Sequence, residues 1–213
     1  MGYTVVDPPS IIATHLTELI RRNAPEILGQ QEVSALIDKV KETNPVVVDA
    51  VLTNDKCKFS YGDIEKVLRA LLSEQVSIRN MVTILETLSN FGPITHDTWD
   101  LTEKVREALG LQICRQYSDA DGKLRVMNLS QSLSQSLLDH AIRPPDGSKP
   151  VVAFDPVDGR RWIKYVSEAF SIMKEQSYQP VIMCSSIVRQ LVKSSTEREI
   201  PGLVVISDKE ILA

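Results

Sequence analysis

Ser118-Asp119-Ala120-Asp121-Gly122 separates two kinds of sequence in this chain. Asp and Ser side chains bond to nearby backbone groups and Gly tolerates positive φ, so the stretch reads as a turn-rich hinge. Upstream of it apolar residues recur at helical spacing. Downstream, short continuous apolar runs alternate with helical stretches. The expected fold class is therefore α+β, with an all-helical part followed by a small α/β part.

Working back from the hinge, Leu101, Val105, Ala108, Leu109 and Ile113 predict a helix from about Thr98, with Gly110 inside it costing roughly 1 kcal/mol relative to Ala. Before Gly92-Pro93, residues Met81, Ile84, Leu85 and Leu88 line another helix, for which Ser77 is the expected cap. Ser60, three residues ahead of Asp63, forms a variant capping box and opens a helix carrying Ile64, Val67, Leu68, Leu71 and Leu72 on one side. Val46 to Phe59 reads as less regular. Val33, Leu36, Ile37 and Val40 mark a further helix that Asn44-Pro45 ends.

At the start of the chain, Asp7 serves as N-cap and Pro8 as first-turn proline of a helix on which Ile11, Ile12, Leu16, Leu19 and Ile20 fall on one stripe, ended or bent at Pro25. Tyr3-Thr4-Val5-Val6 before it reads as a strand. No hairpin partner lies close in sequence, and a lone strand leaves backbone N–H and C=O groups unpaired. The expectation is a chain cut from something larger.

Beyond the hinge, Leu124 to Leu129 suits a strand, and Leu133, Leu137 and Leu138 a helix. Arg143 to Pro150 is a loop. Trp162, Val166, Ala169, Phe170 and Met173 line one side of a long helix. Val181-Ile182-Met183-Cys184 and Leu203-Val204-Val205-Ile206 are continuous apolar runs of the kind found in strands covered on both faces. A short helix from Ile187 to Val192 joins them into a βαβ-like unit. The resulting partition is 1–25, a remnant of a truncated unit; 26–117, helical; and 118–213, α/β. No repeat of 20–50 residues is visible, which excludes a solenoid.

With 213 residues, 43% of them hydrophobic, the chain can bury a sizeable core. Cys57, Cys114 and Cys184 are odd in number and far apart, which signals neither a disulfide framework nor a zinc site and fits a reducing compartment. A net charge of −4 with no basic run argues against nucleic acid as a partner. The charge is uneven: residues 1–110 carry 11 basic and 16 acidic side chains, 111–213 carry 13 and 12, in keeping with two units. No apolar run approaches the ~20 residues that span a bilayer, and no signal peptide opens the chain.

Candidate chemistry is sparse. Cys184, at a strand end before Ser185-Ser186 and a helix, is either a nucleophile activated by a helix N-terminus or a small buried core residue. Arg189 follows it with one residue fewer between them than a cysteine-phosphatase loop needs to encircle a phosphate. His15, His96 and His140 share no metal-ligand spacing. The glycines form no phosphate cradle. Asp155 and Asp158 are read as a helix cap against paired acid–base carboxylates, and Arg160-Arg161 beside Trp162 as a solvated first turn against a base-stacking site. These residues point to no enzyme and no cofactor.

Several ordered stretches carry a resemblance: Gly2-Tyr3-Thr4-Val5-Val6-Asp7-Pro8 with Ala13-Thr14-His15-Leu16, then Gly29-Gln30-Gln31-Glu32, then Val76-Ser77-Ile78-Arg79-Asn80-Met81 with Thr83-Ile84-Leu85-Glu86, and Arg106-Glu107-Ala108-Leu109-Gly110 with Gln112-Ile113. Together they resemble the C-terminal cytoplasmic region of the FlhA family of flagellar and virulence type III export gates. The resemblance covers residues 2 to about 117 well and the rest loosely. It implies the tail of the family's first cytoplasmic subdomain, its helical third and most of its α/β fourth. It also implies a non-enzymatic docking platform on the cytoplasmic side of the bacterial inner membrane. The partners implied are export chaperone–substrate complexes, other export-apparatus proteins including the export ATPase complex, and further copies in a nine-membered ring, with membrane contact only through a missing N-terminal region.

By the same resemblance Val6, Ile11 and Thr14 belong to a hydrophobic dimple that takes the chaperone, the other half lying upstream. Ordinary strand-on-helix packing remains an alternative for Val6 and Ile11, and for Thr14 a hydroxyl bond to the carbonyl four residues earlier. Gln30 and Asn80 depart from the pattern, standing where Arg and Asp are usual, without consequence for the fold. The virulence (injectisome) homologue is the alternative within the family. A small cysteine-dependent α/β enzyme is the distant one.

Overall fold

The computed structural model describes residues 7–55 and 57–211. The strand expected at Tyr3–Val6, and with it Val6, lies outside the described residues. The chain divides into two compact units, 1–102 and 103–213.

In the first unit, helix α1 (Pro8–Ile27) is capped by Asp7, whose carboxylate accepts from Ser10 N at 3.2 Å. Pro25 does not end it: the helix runs on to Ile27, and Leu28 N closes the last turn on Ala24 O at 3.2 Å. Helices α2 (Gln30–Thr43) and α4 (Tyr61–Ser73) follow the expected stripes, burying Val33 and Ile37 from one and Ile64, Val67, Leu68 and Leu71 from the other. Ser60 and Asp63 form the reciprocal capping box, with Asp63 N donating to Ser60 Oγ at 3.2 Å and Ser60 N to Asp63 Oδ2 at 3.1 Å.

Two expectations fail here. The supposedly irregular stretch contains a helix, α3 (Pro45–Leu52), with Pro45 in its first turn and Val48 and Val51 fully buried. Proline at N1 starts a helix as readily as it stops one, and burial against α5 outweighs the weak helix propensity of three consecutive valines. Helix α5 (Met81–Phe91) is capped by Asn80, whose Oδ1 accepts from Thr83 N at 3.4 Å; Ser77 lies too far upstream. Asn80 thus does the capping job an Asp would do.

The single helix predicted from Thr98 is two. Helix α6 (Thr98–Ala108) stops at Leu109 and α7 (Gly110–Tyr117) starts anew. Gly110 is required there because a Cβ would lie 2.2 Å from the Glu210 carbonyl oxygen.

The second unit is built on a parallel three-stranded sheet, ordered β1 (Met127–Asn128), β4 (Val181–Cys184), β5 (Val204–Ser207). Helix α10 (Arg189–Thr196) joins β4 to β5 and completes the expected βαβ unit. The first strand is much shorter than Leu124–Leu129. Between β1 and β4 come α8 (Gln131–Asp139), α9 (Pro156–Glu175) and an antiparallel pair, β2 (Ala141–Ile142) with β3 (Val151–Val152), bracketing the predicted loop. Leu137, Trp162, Val166, Ile182, Val192 and Val205 form the centre of its core.

The compact boundary at 102/103 lies ahead of the composition change at 118–122. The cause is ionic as well as apolar. Arg106 on α6 pairs with Glu210 on the terminal helix α11 (Asp208–Ile211), Nε to Oε1 at 2.9 Å and Nη2 to Oε2 at 3.1 Å. Glu103 pairs with Arg189 at the start of α10, whose Nε donates to Glu103 Oε2 at 2.6 Å. The second half of α6 and all of α7 are therefore tied to the α/β unit.

A candidate docking surface

Helix α1 buries none of its residues. Ile12, Leu16, Ile20 and Ile27 are each more than half exposed, and Leu19 nearly so. A helix advances about 100° per residue, so Ile11 falls off the stripe it was expected to join and lies with Thr14 and Glu18, at i, i+3 and i+7. Thr14, two residues from Leu16, is turned roughly 160° from it. Two surfaces therefore run along one helix: an apolar one through Leu16, Leu19 and Ile20, and a mixed one carrying Ile11 and Thr14.

Both described candidate docking residues are exposed and adjacent. Ile11 is 56% exposed, and the strand weighed as its packing partner lies outside the described residues. The Thr14 hydroxyl donates to Ser10 O at 2.8 Å, the back-bond anticipated as its alternative role. A threonine hydroxyl retains acceptor lone pairs when it donates, so the bond orients the side chain without using up its acceptor capacity.

The remaining candidates are accounted for by packing. Cys184 is buried, and burial pushes its thiol up to about 12, away from the range of an activated nucleophile. Trp162 is 4% exposed and its Nε1 donates to Ser195 Oγ at 3.0 Å, which removes it as a stacking platform beside Arg160-Arg161. Asp155 caps α9, accepting from Val157 N at 2.7 Å and Asp158 N at 3.1 Å, and those bonds hold its carboxyl below the usual range. His96 stacks on Phe59 at 5.1 Å, and His140 bonds Ser136 O through Nδ1 at 2.8 Å. No group of three or more potential metal ligands occurs among the described residues, and no helix of those residues is long and apolar enough to cross a membrane.

Sequence reasoning missed the cluster of Glu103, Arg106, Arg189 and Glu210, where the guanidinium groups are 2% and 1% exposed and the Glu210 carboxylate is fully enclosed. Its members are scattered along the chain. The one local signal was Arg106 directly beside the buried Val105, on a face otherwise expected to be solvated.

Comparison with known proteins places these features. The chain matches the FHIPEP family over residues 1–213. It is 42% identical to the flagellar biosynthesis protein FlhA of Borreliella burgdorferi over 214 residues, covering 99% of this chain and 29% of that protein. Among solved structures, the C-terminal domain of InvA is similar with a TM-score of 0.81 at 26% identity, covering 99% of this chain and 62% of that one. The nonameric SctV-C of EPEC is similar with a TM-score of 0.83, also at 26% identity, covering 94% and 58%. The chain thus spans less than a third of that FlhA's length. A match along the entire sequence and a shared fold agree: the chain belongs to the FHIPEP family, whose structural relatives are C-terminal domains of type III secretion export-gate proteins.

Proposed function

We propose that this chain is part of a flagellar type III export gate and serves as a docking platform for export chaperone–substrate complexes. The observation that carries the reading is the exposed face of α1, where Ile11 and Thr14 stand side by side in a member of this family. Val6 completes the proposed contact from outside the described residues. The flagellar assignment is supported by relatives named flagellar biosynthesis protein FlhA at 31–42% identity over nearly the whole chain.

The rest of the reading follows from family membership. In this reading 1–25 is the remnant of the family's first cytoplasmic subdomain, 26–117 its helical subdomain and 118–213 its α/β subdomain, whereas the compact units divide at 102/103. The platform works on the cytoplasmic side of the inner membrane, anchored by parts of the parent protein beyond this chain. Likeness to a nonameric relative supports assembly with further copies into a ring, and contact with other export components, including the ATPase complex, belongs to the same reading.

Titrating flagellar chaperone–substrate complexes against the complete cytoplasmic region of the parent, in wild-type form and as Thr14→Glu, tests this directly. Affinity should fall at least tenfold in the variant. Equal affinity would remove Thr14 and its face of α1 from the site.

A further inference from the structure

Helix α11 is too short to hold itself. A helix of four residues lies far below the length at which helix formation is favourable in water. Yet Glu210 is 1% exposed. What holds it is a socket assembled from four other elements, α6, α7, α10 and β5. Arg106 of α6 grips the carboxylate with two bonds, and Arg189 Nε stands 3.9 Å from Oε1, the oxygen that also accepts from Arg106 Nε. The Val205 carbonyl accepts from both guanidinium groups, at 3.2 Å from Arg106 and 3.5 Å from Arg189. Gly110 supplies a notch for the Glu210 carbonyl, and the Cys114 thiol donates to that oxygen at 3.6 Å. Glu103 neutralises the second arginine.

Burial pushes the Glu210 carboxyl up against the opposing pull of Arg106 and Arg189. An apolar side chain of similar volume would fill the space without desolvating charge. A buried ion pair differs in being all-or-none: with one member removed, the other is left charged in an apolar interior.

We propose that Glu210 is the key of a latch, through which the seating of α11 decides whether the second half of α6, residues 103–108, stays fastened to the α/β unit. Arg106 is shared by the two elements, so unseating α11 leaves its guanidinium buried without the carboxylate, and the turn of α6 that carries it loosens too. The inference does not depend on the docking role of α1.

Hydrogen–deuterium exchange on the whole chain tests it. In Glu210→Gln, amides of 208–211 and of 103–108 should exchange faster together, by on the order of 100-fold, while α9 keeps its protection. Leu137→Ala, which opens a cavity in the same unit, should raise exchange without singling out those segments. Faster exchange in α11 alone, or the same paired pattern in Leu137→Ala, would overturn the latch. Should Glu210→Gln fail to fold, Arg106→Lys, which keeps the charge and loses the two-bond fork on Glu210, must give the paired pattern or the proposal fails. In Glu210→Ala, sodium formate should restore protection to both segments and sodium chloride at equal ionic strength should not. Equal effects of the two salts would rule out a carboxylate socket.

Discussion

Gly110 looked from sequence like a flaw in a helix, and its packing reverses that reading. With a Cβ 2.2 Å from a backbone oxygen, Gly110→Ala must push α11 out of its place, at a cost of about 3 kcal/mol. Gly159, inside α9, has only the Phe154 Cβ at 3.6 Å, so Gly159→Ala should be neutral or stabilise by up to about 1 kcal/mol through helix propensity. Urea unfolding of the two variants measures the contrast; similar values would contradict the close approach. Ser177 poses the reverse case, a residue with a side chain held at φ 60°. Ser177→Gly should raise stability by roughly 0.5–1 kcal/mol, readable in the same titration. None of these positions was legible in advance. A clash with a residue a hundred positions away, or a positive φ, leaves no trace in local composition.

At the scale of elements, caps and stripes divide by how local they are. The capping box at Ser60 was readable because its atoms lie within three residues of one another. The Ser60 hydroxyl donates to Asp63 Oδ2 at 2.6 Å and holds that carboxyl below its ordinary value. A depressed carboxyl contributes stability above its unfolded value of about 3.9 and loses it as pH falls through the lower folded value. Asp63→Asn should therefore lower stability at pH 7 and flatten the decline below about pH 4. An unchanged acid limb in thermal melts from pH 2 to 7 would count against the box. The cap of α5 was misplaced at Ser77 because several polar residues precede Met81, and only tertiary packing decides which of them turns the chain. The stripe on α1 is the larger misreading. Periodicity reports an apolar face but not what meets it, and here the face is open. Leu16→Ser should change the stability of this chain by less than about 0.5 kcal/mol, whereas Ile84→Ala, fully buried on α5, should cost 2–5 kcal/mol, about the range for such truncations.

For the whole molecule, helices α1 to α7 precede Ser118–Gly122 and every described strand follows it. The βαβ unit of β4, α10 and β5 was legible because strands covered on both faces are written as continuous apolar runs. Where the chain divides into compact units was not, because ion pairs between distant residues reassign the end of α6 and α7. Likewise, the residues proposed for docking came from family resemblance: helical spacing sets Ile11 and Thr14 apart from the neighbouring apolar stripe but says nothing of what would bind them. Their arrangement on one exposed face of α1 makes a definite prediction for the parent protein. The most direct test is hydrogen–deuterium exchange across its cytoplasmic region, with and without a saturating flagellar chaperone–substrate complex. The account predicts slowed exchange concentrated in residues 8–18 of α1. Protection elsewhere, with α1 unchanged at saturation, would contradict it.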